Sequence, residues 1–168
     1  MNVDLATVVL GWDKTLGSAD HILTRASDHA AANDVAMAEM LDWRLAPDMF
    51  PLARQIEVVC NLAQQWAARA ADAEVPPEPQ GNADLAGLRA IVADARRFIA
   101  ALPRERFSGR DDIPATVDLG VIEPTMPIGQ WVTGFATANI LFHLSMAYAI
   151  LRSRGVPLGK ADLFGGGL

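Results

Sequence analysis

The stretch VDLATVVLGWDKTLGSADHILTRASDHAAA, residues 3–32, decides the fold. Leu5, Val9, Trp12, Leu16, Ala19, Leu23, Ala26 and Ala30 follow one another in alternating steps of four and three. That spacing places them in one apolar stripe on a long helix from about Val3 to Ala32. Gly11 and Gly17 weaken the helix slightly and mark a bend or a close approach. A helix with a single apolar stripe must bury it against something, so the rest of the chain is read for partners.

Asn33-Asp34 ends the first helix and can cap a short second one over about Val35 to Trp43. The segment RLAPDMFP, residues 44–51, follows. Asp48 is placed to cap the next helix, with Pro51 in its first turn, where the missing N–H costs nothing. That helix runs to about Ala71, with Leu52, Ile56, Val59, Ala63, Trp66 and Ala70 as its stripe. Residues 73–82, AEVPPEPQGN, read as a proline-rich loop. Asn82 or Asp84 starts a further helix to Leu102, with Leu85, Leu88, Val92, Ala95 and Ile99 inward. Between 103 and 128, prolines and glycines punctuate the chain, and ATVDLG with VIEPTMPI suggests a small irregular hairpin. The last helix spans about Gly129 to Arg152, with Arg152 and Arg154 at its negative end and Gly155 as its terminator. Four long helices on short connections pack most simply as a four-helix bundle. The expected fold is therefore all-α, one domain over 1–168, with a short extra helix and a β-hairpin inserted before the last helix.

Composition supports this and excludes several function classes. The chain is 51% hydrophobic and 20% charged, which permits a substantial core and excludes disorder as the dominant state. A net charge of −6 argues against nucleic-acid binding, which needs a basic face. A lone cysteine, Cys60, excludes a disulfide framework and any cysteine-built metal cluster. The N-terminus has Asp4 where a secretory signal would be basic, so a cytoplasmic protein is expected. From Pro124 to Leu151 there is no formal charge, a length that could span a bilayer. Its Gln130, Thr133, Thr137, Asn139, His143 and Ser145 fit a buried central helix better, and no membrane association is expected.

The candidate chemistry is sparse. His21 and His29 lie eight residues apart on one helix, about 12 Å along its axis, too far to share one metal. His21 falls opposite the stripe and reads as solvated; His29 sits near the helix end, where it suits the dipole. His143 lies mid-helix in the uncharged segment, with Asn139 a turn before it and Ala147 a turn after. A buried neutral histidine there can act as acid, base or ligand, or simply hydrogen-bond in a core. Cys60 reads as inert packing among Val58, Val59, Leu62 and Ala63, and the tryptophans as core. Arg44 can pair with Asp48 or with an anionic ligand. No phosphate-binding glycine loop or nucleophile elbow occurs, and the terminal Gly-Gly-Gly reads as a flexible tail.

Two stretches carry a resemblance: RLAPDMFPLARQ (44–55), and FHLSMAYAILR (142–152) followed by GVPLGKADL (155–163). With the chain length, they resemble the bacterial domain-of-unknown-function family 1993, which is similar to the DinB/YfiT-like metalloenzyme superfamily. The resemblance implies a four-helix bundle, often dimeric, with a metal on three histidines: one early in the second long helix and an HxxxH pair on the last. It also implies thiol-dependent transferase or isomerase activity in some members. Here Gln55 stands near the place of the first ligand, and His143 has Asn139 and Ala147 where a second histidine would be. No cofactor is expected; a divalent metal has only His143 to hold it. The candidate site is His143 as the catalytic group, with Asp48, Gln55, Asn139, Arg44 and Tyr148 around a ligand. Two functions follow: a homodimeric small-ligand-binding or structural module, or a thiol-dependent transferase or isomerase using His143.

Overall fold

The computed structural model describes residues 4–167. The expected helix start at Val3 lies outside them. α1 (Leu5–Asn33) begins at Asp4, whose carboxylate accepts the Ala6 N–H at 3.1 Å. All eight residues of its stripe are buried. The helix stops because Asp34 turns left-handed (φ 54°), and the Val35 N–H then closes on the Ala30 carbonyl. Asp34 thus terminates α1 and does not cap the next helix. α2 (Met37–Leu41) is shorter than the period suggests and has no side-chain cap.

α3 (Leu52–Ala71) corrects two expectations. Its N-cap position is Pro51, not Asp48, and the first free N–H, on Leu52, donates to the Trp43 carbonyl. The chain comes back on itself there, so a backbone carbonyl does the work assigned to Asp48. α3 is also the most enclosed helix. Besides its stripe it buries Gln55, Glu57, Cys60, Ala67, Ala68 and Ala71, and it packs on α1 and on the two helices that follow. Its alanines let three neighbours approach closely.

α4 (Leu85–Ala100) starts at Asp84, whose side chain accepts the Gly87 N–H at 2.8 Å. Strands β1 (Pro114–Thr116) and β2 (Thr125–Pro127) form the antiparallel hairpin, with Ala115 opposite Met126. Trp131 Nε1 donates to the Ala115 carbonyl at 2.8 Å and fastens the hairpin to the bundle.

α5 (Ile128–Ser153) is long and apolar enough to cross a membrane, by length and composition alone. It is not the enclosed central helix expected. One face, with Ile140, Leu144, Ala147 and Ile150, enters the core; the other leaves Leu141 and Phe142 exposed. Its end is as read: Gly155 is left-handed (φ 87°), its N–H reaches the Arg152 carbonyl, and the Val156 N–H reaches that of Leu151. Residues 131–136 are π-helical, which no sequence period signalled. Thr133, Thr137 and Asn139 donate to the carbonyls of Gly129, Val132 and Phe135 along this segment, occupying acceptors that the wider turn disturbs.

The tail, expected to be free, is docked on α1 through residue 166. Asp162 receives His21 Nε2 at 2.7 Å, Arg25 donates to the Pro157 carbonyl at 2.8 Å, and the Gly166 N–H reaches Ser18 Oγ at 3.2 Å. His21, expected to be solvated, is therefore half-buried under this strap. The strap can lie this close because Gly17 and Gly166 face each other: a Cβ on Gly17 would stand 2.9 Å from the Gly166 Cα.

Candidate functional site

α3 and α5 pack along each other, and the contact brings Gln55 to His143. Gln55 is 2% exposed. Its Nε2 donates to the Phe50 carbonyl at 3.1 Å, so its Oε1 must be the atom 2.7 Å from His143 Nδ1. An amide oxygen only accepts. His143 Nδ1 therefore carries the hydrogen, and in the neutral ring Nε2 is left with a free lone pair. The Phe50 carbonyl orients Gln55, and Gln55 orients the imidazole.

Two aromatic rings frame the histidine. Phe50 stacks over it with centroids 6.3 Å apart, and Phe142 meets it edge-on at 5.2 Å. Both are half in water, 48% and 52% exposed. Arg54 lies over the outer face of this group, 5.9 Å from the Phe50 centroid. Burial, and secondarily the Arg54 charge, hold the imidazole below the ordinary histidine range, which favours the neutral ring. The arrangement can accept a hydrogen bond or a proton at one fixed, half-buried nitrogen.

The other expected site residues do not join it. Asp48 is exposed in the 44–51 loop, and Arg44 donates to the Asp42 carbonyl rather than to Asp48. Asn139 is committed to Phe135 within its own helix. Tyr148 packs against the core, half-buried, a turn beyond His143. Phe50, Phe142 and Arg54 escape sequence reasoning as a set, because only the α3–α5 contact assembles them. Cys60 is fully buried, and burial, with the Glu57 charge adding to it, pushes its thiol up to about 12.

The three-histidine site implied by the resemblance can now be tested. Gln55 does stand opposite His143, but both of its polar atoms and His143 Nδ1 are committed to each other or to Phe50. Asn139 is spent, and Ala147 offers no donor atom. Among the described residues no group of three or more His, Cys, Asp or Glu side chains could hold a metal ion. One free nitrogen is not a zinc-type site, which takes at least three protein ligands. The residues present do not fit the metal.

An α-helical bundle with a hairpin before its last helix and an oriented histidine between its second and last long helices is a DinB-like protein. The chain belongs to the family described as "Domain of unknown function (DUF1993)", whose model matches residues 6–164. It is similar to a DinB family member protein from Shewanella denitrificans, known from a crystal structure, with 27% identity and a TM-score of 0.88. The match covers 95% of this chain and 91% of that one. No curated protein matches significantly.

Proposed function

We propose that this protein is a homodimeric small-molecule-binding module in which His143 is a fixed, neutral hydrogen-bonding group. The observation that carries the reading is the chain from the Phe50 carbonyl through Gln55 to His143 Nδ1. It fixes the tautomer and leaves Nε2 without a hydrogen bond among the described residues, on an imidazole that meets two half-exposed rings, a pairing of apolar surface with one directed polar atom that suits a small ligand. The homodimer is supported by α5, whose outer face, uncharged before Arg152 in the last turn, exposes Leu141 and Phe142 beside that site. A second copy laid there would cover both residues.

A second reading, a thiol-dependent transferase or isomerase, is favoured by the same nitrogen. His143 Nε2 would take the proton from a thiol substrate; the thiolate would form a bond to an electrophilic carbon of a second substrate as that carbon's bond to its leaving group breaks, and the imidazolium would return the proton to the leaving group. The thiol would come from outside, because Cys60 is buried and its proton is held tightly.

The test is metal content by mass spectrometry on protein purified without chelator, beside a thermal-shift screen of small molecules and low-molecular-weight thiols. The proposal expects a metal-free protein with a ligand-induced shift that His143→Leu removes. A near-stoichiometric metal that disappears in His143→Ala contradicts it. A shift confined to thiols, with turnover lost in His143→Leu, selects the enzyme reading.

A further inference from the structure

A cavity of about 900 Å³ opens between α2, the start of α3, the 81–84 loop and the start of α4, and neither His143 nor Gln55 lines it. That size falls in the range that encloses a small organic ligand. Met37 and Leu41 from α2 and Leu85 from α4 give it apolar walls.

Most of its charged groups are already committed. Glu57, 1% exposed, receives Arg54 Nη1 at 3.0 Å on one oxygen and the Ala83 N–H at 3.4 Å on the other. That carboxylate neutralises Arg54 and ties the 81–84 loop to α3 as a wall. Asp84 is spent on capping α4. Arg89 is not committed. Among the described residues its guanidinium makes no hydrogen bond, ion pair or aromatic contact, a condition it shares only with Arg152 among the arginines. It stands four residues beyond Leu85 on α4, so a guanidinium and an apolar side chain lie one above the other on one helix face of the cavity. Asp42, at the end of α2, is the other lining charge without a side-chain partner, and it disfavours a second negative group on whatever enters.

We propose that this cavity is a binding site for a small amphipathic monocarboxylate, its apolar body against Met37, Leu41 and Leu85 and its carboxylate on Arg89. A guanidinium suits a carboxylate because its N–H groups form a planar fork that two oxygens can share. The site is separate from the His143 reading and stands if that reading fails.

The experiment is an amide-resolved NMR titration of the full chain with octanoate below its micelle concentration, with octanol and octylamine as controls. Saturable shifts are expected at Ala38, Gly81 and Ala86 with octanoate. Octanol, octylamine and the Arg89→Gln variant should each bind or be bound about tenfold more weakly. Ala86→Trp, at an exposed lining position, should block binding, and His143→Leu should leave it unchanged. The proposal is overturned by any of three results: no saturable shift at those amides, octanol or octylamine binding as well as octanoate, or Arg89→Gln binding like the parent. An equal loss in His143→Leu also overturns it, by assigning the ligand to the other site.

Discussion

His143 is decided by one oxygen atom. Because Gln55 Nε2 is turned to the Phe50 carbonyl, its Oε1 can only receive, and the ring must donate from Nδ1. Folding also favours the neutral ring, through burial and then the Arg54 charge. In the unfolded chain a histidine titrates near its ordinary value, about 6.5. Between the lower folded value and that one, the unfolded chain binds more protons, so stability rises with pH. The contribution is complete above about pH 6.5 and is lost progressively below it. His143→Gln should therefore flatten the rise in unfolding free energy between pH 5 and 7, measured by denaturant titration. The other two histidines are common to both proteins, so an unchanged slope would deny the burial effect. His143 was legible as a candidate because it interrupts an uncharged run. Its partner was legible only through the family resemblance to residues 44–55, since nothing in a helical period marks a glutamine as buried. Asp48 misled for a related reason: a good capping residue near a helix start is displaced when Pro51 occupies the cap position and the Trp43 carbonyl takes the first N–H.

Elements whose burial follows the 3.6-residue period were read correctly, α1 most completely. The stripe of α3 was also right, but its enclosure was not, because small alanines on the remaining faces carry no strong pattern. The π-helical segment of α5 has no period to show; it is held by Thr133, Thr137 and Asn139 bonding to carbonyls of their own helix. The C-terminal strap was misread because its partner, Gly17, lies some 150 residues away in the chain. That partnership makes a prediction. A Cβ on Gly17 would press on the Gly166 Cα, and one on Gly166 would overlap the Lys14 carbonyl and stand 2.6 Å from the Ser18 amide nitrogen. Gly17→Ala and Gly166→Ala should each cost about 1–3 kcal/mol, the usual range for overfilling a tight contact. Both should raise hydrogen exchange in the strap residues 160–166 while leaving α3 protected. Since each breaks the same contact, the double variant should cost clearly less than the sum. Additive losses, or unaltered exchange in the strap, would show that the two glycines act separately.

At the scale of the molecule, an acidic chain of net charge −6 carries one helix whose outward face is uncharged as far as Leu151, with exposed Arg152 in its last turn. Leu141 and Phe142 on that face, with Phe50 next to His143, form the patch on which the proposed dimer rests. Phe142→Lys should convert the dimer to a monomer by light scattering at micromolar concentration and should change Tm by no more than a few degrees, because the side chain is half in water. A monomeric parent protein, or an undisturbed dimer in the variant, would remove this face as the interface. The hairpin tip is a second exposed apolar feature, with Val121 91% exposed, and Val121→Lys serves as the control that should leave the mass unchanged. The bundle and the hairpin were both visible in the order of stripes and prolines. How α5 divides between core and outer face was not, because apolar residues such as Leu141 and Phe142 stand on the side opposite Ile140, Leu144 and Ala147, so only the packing partner decides which side is buried.

The position of the hydrogen on the His143 ring decides whether the nitrogen facing away from Gln55 is free, and nitrogen-15 NMR reads it directly. Long-range proton–nitrogen correlations at pH 7.5 should show a neutral imidazole with the hydrogen on Nδ1 and a free Nε2, and addition of chelator should change nothing. Gln55→Leu should remove the tautomer preference while the bundle stays folded. A hydrogen on Nε2, or nitrogen shifts that move when chelator is added, would contradict the Gln55–His143 arrangement, the latter by placing a metal at this ring.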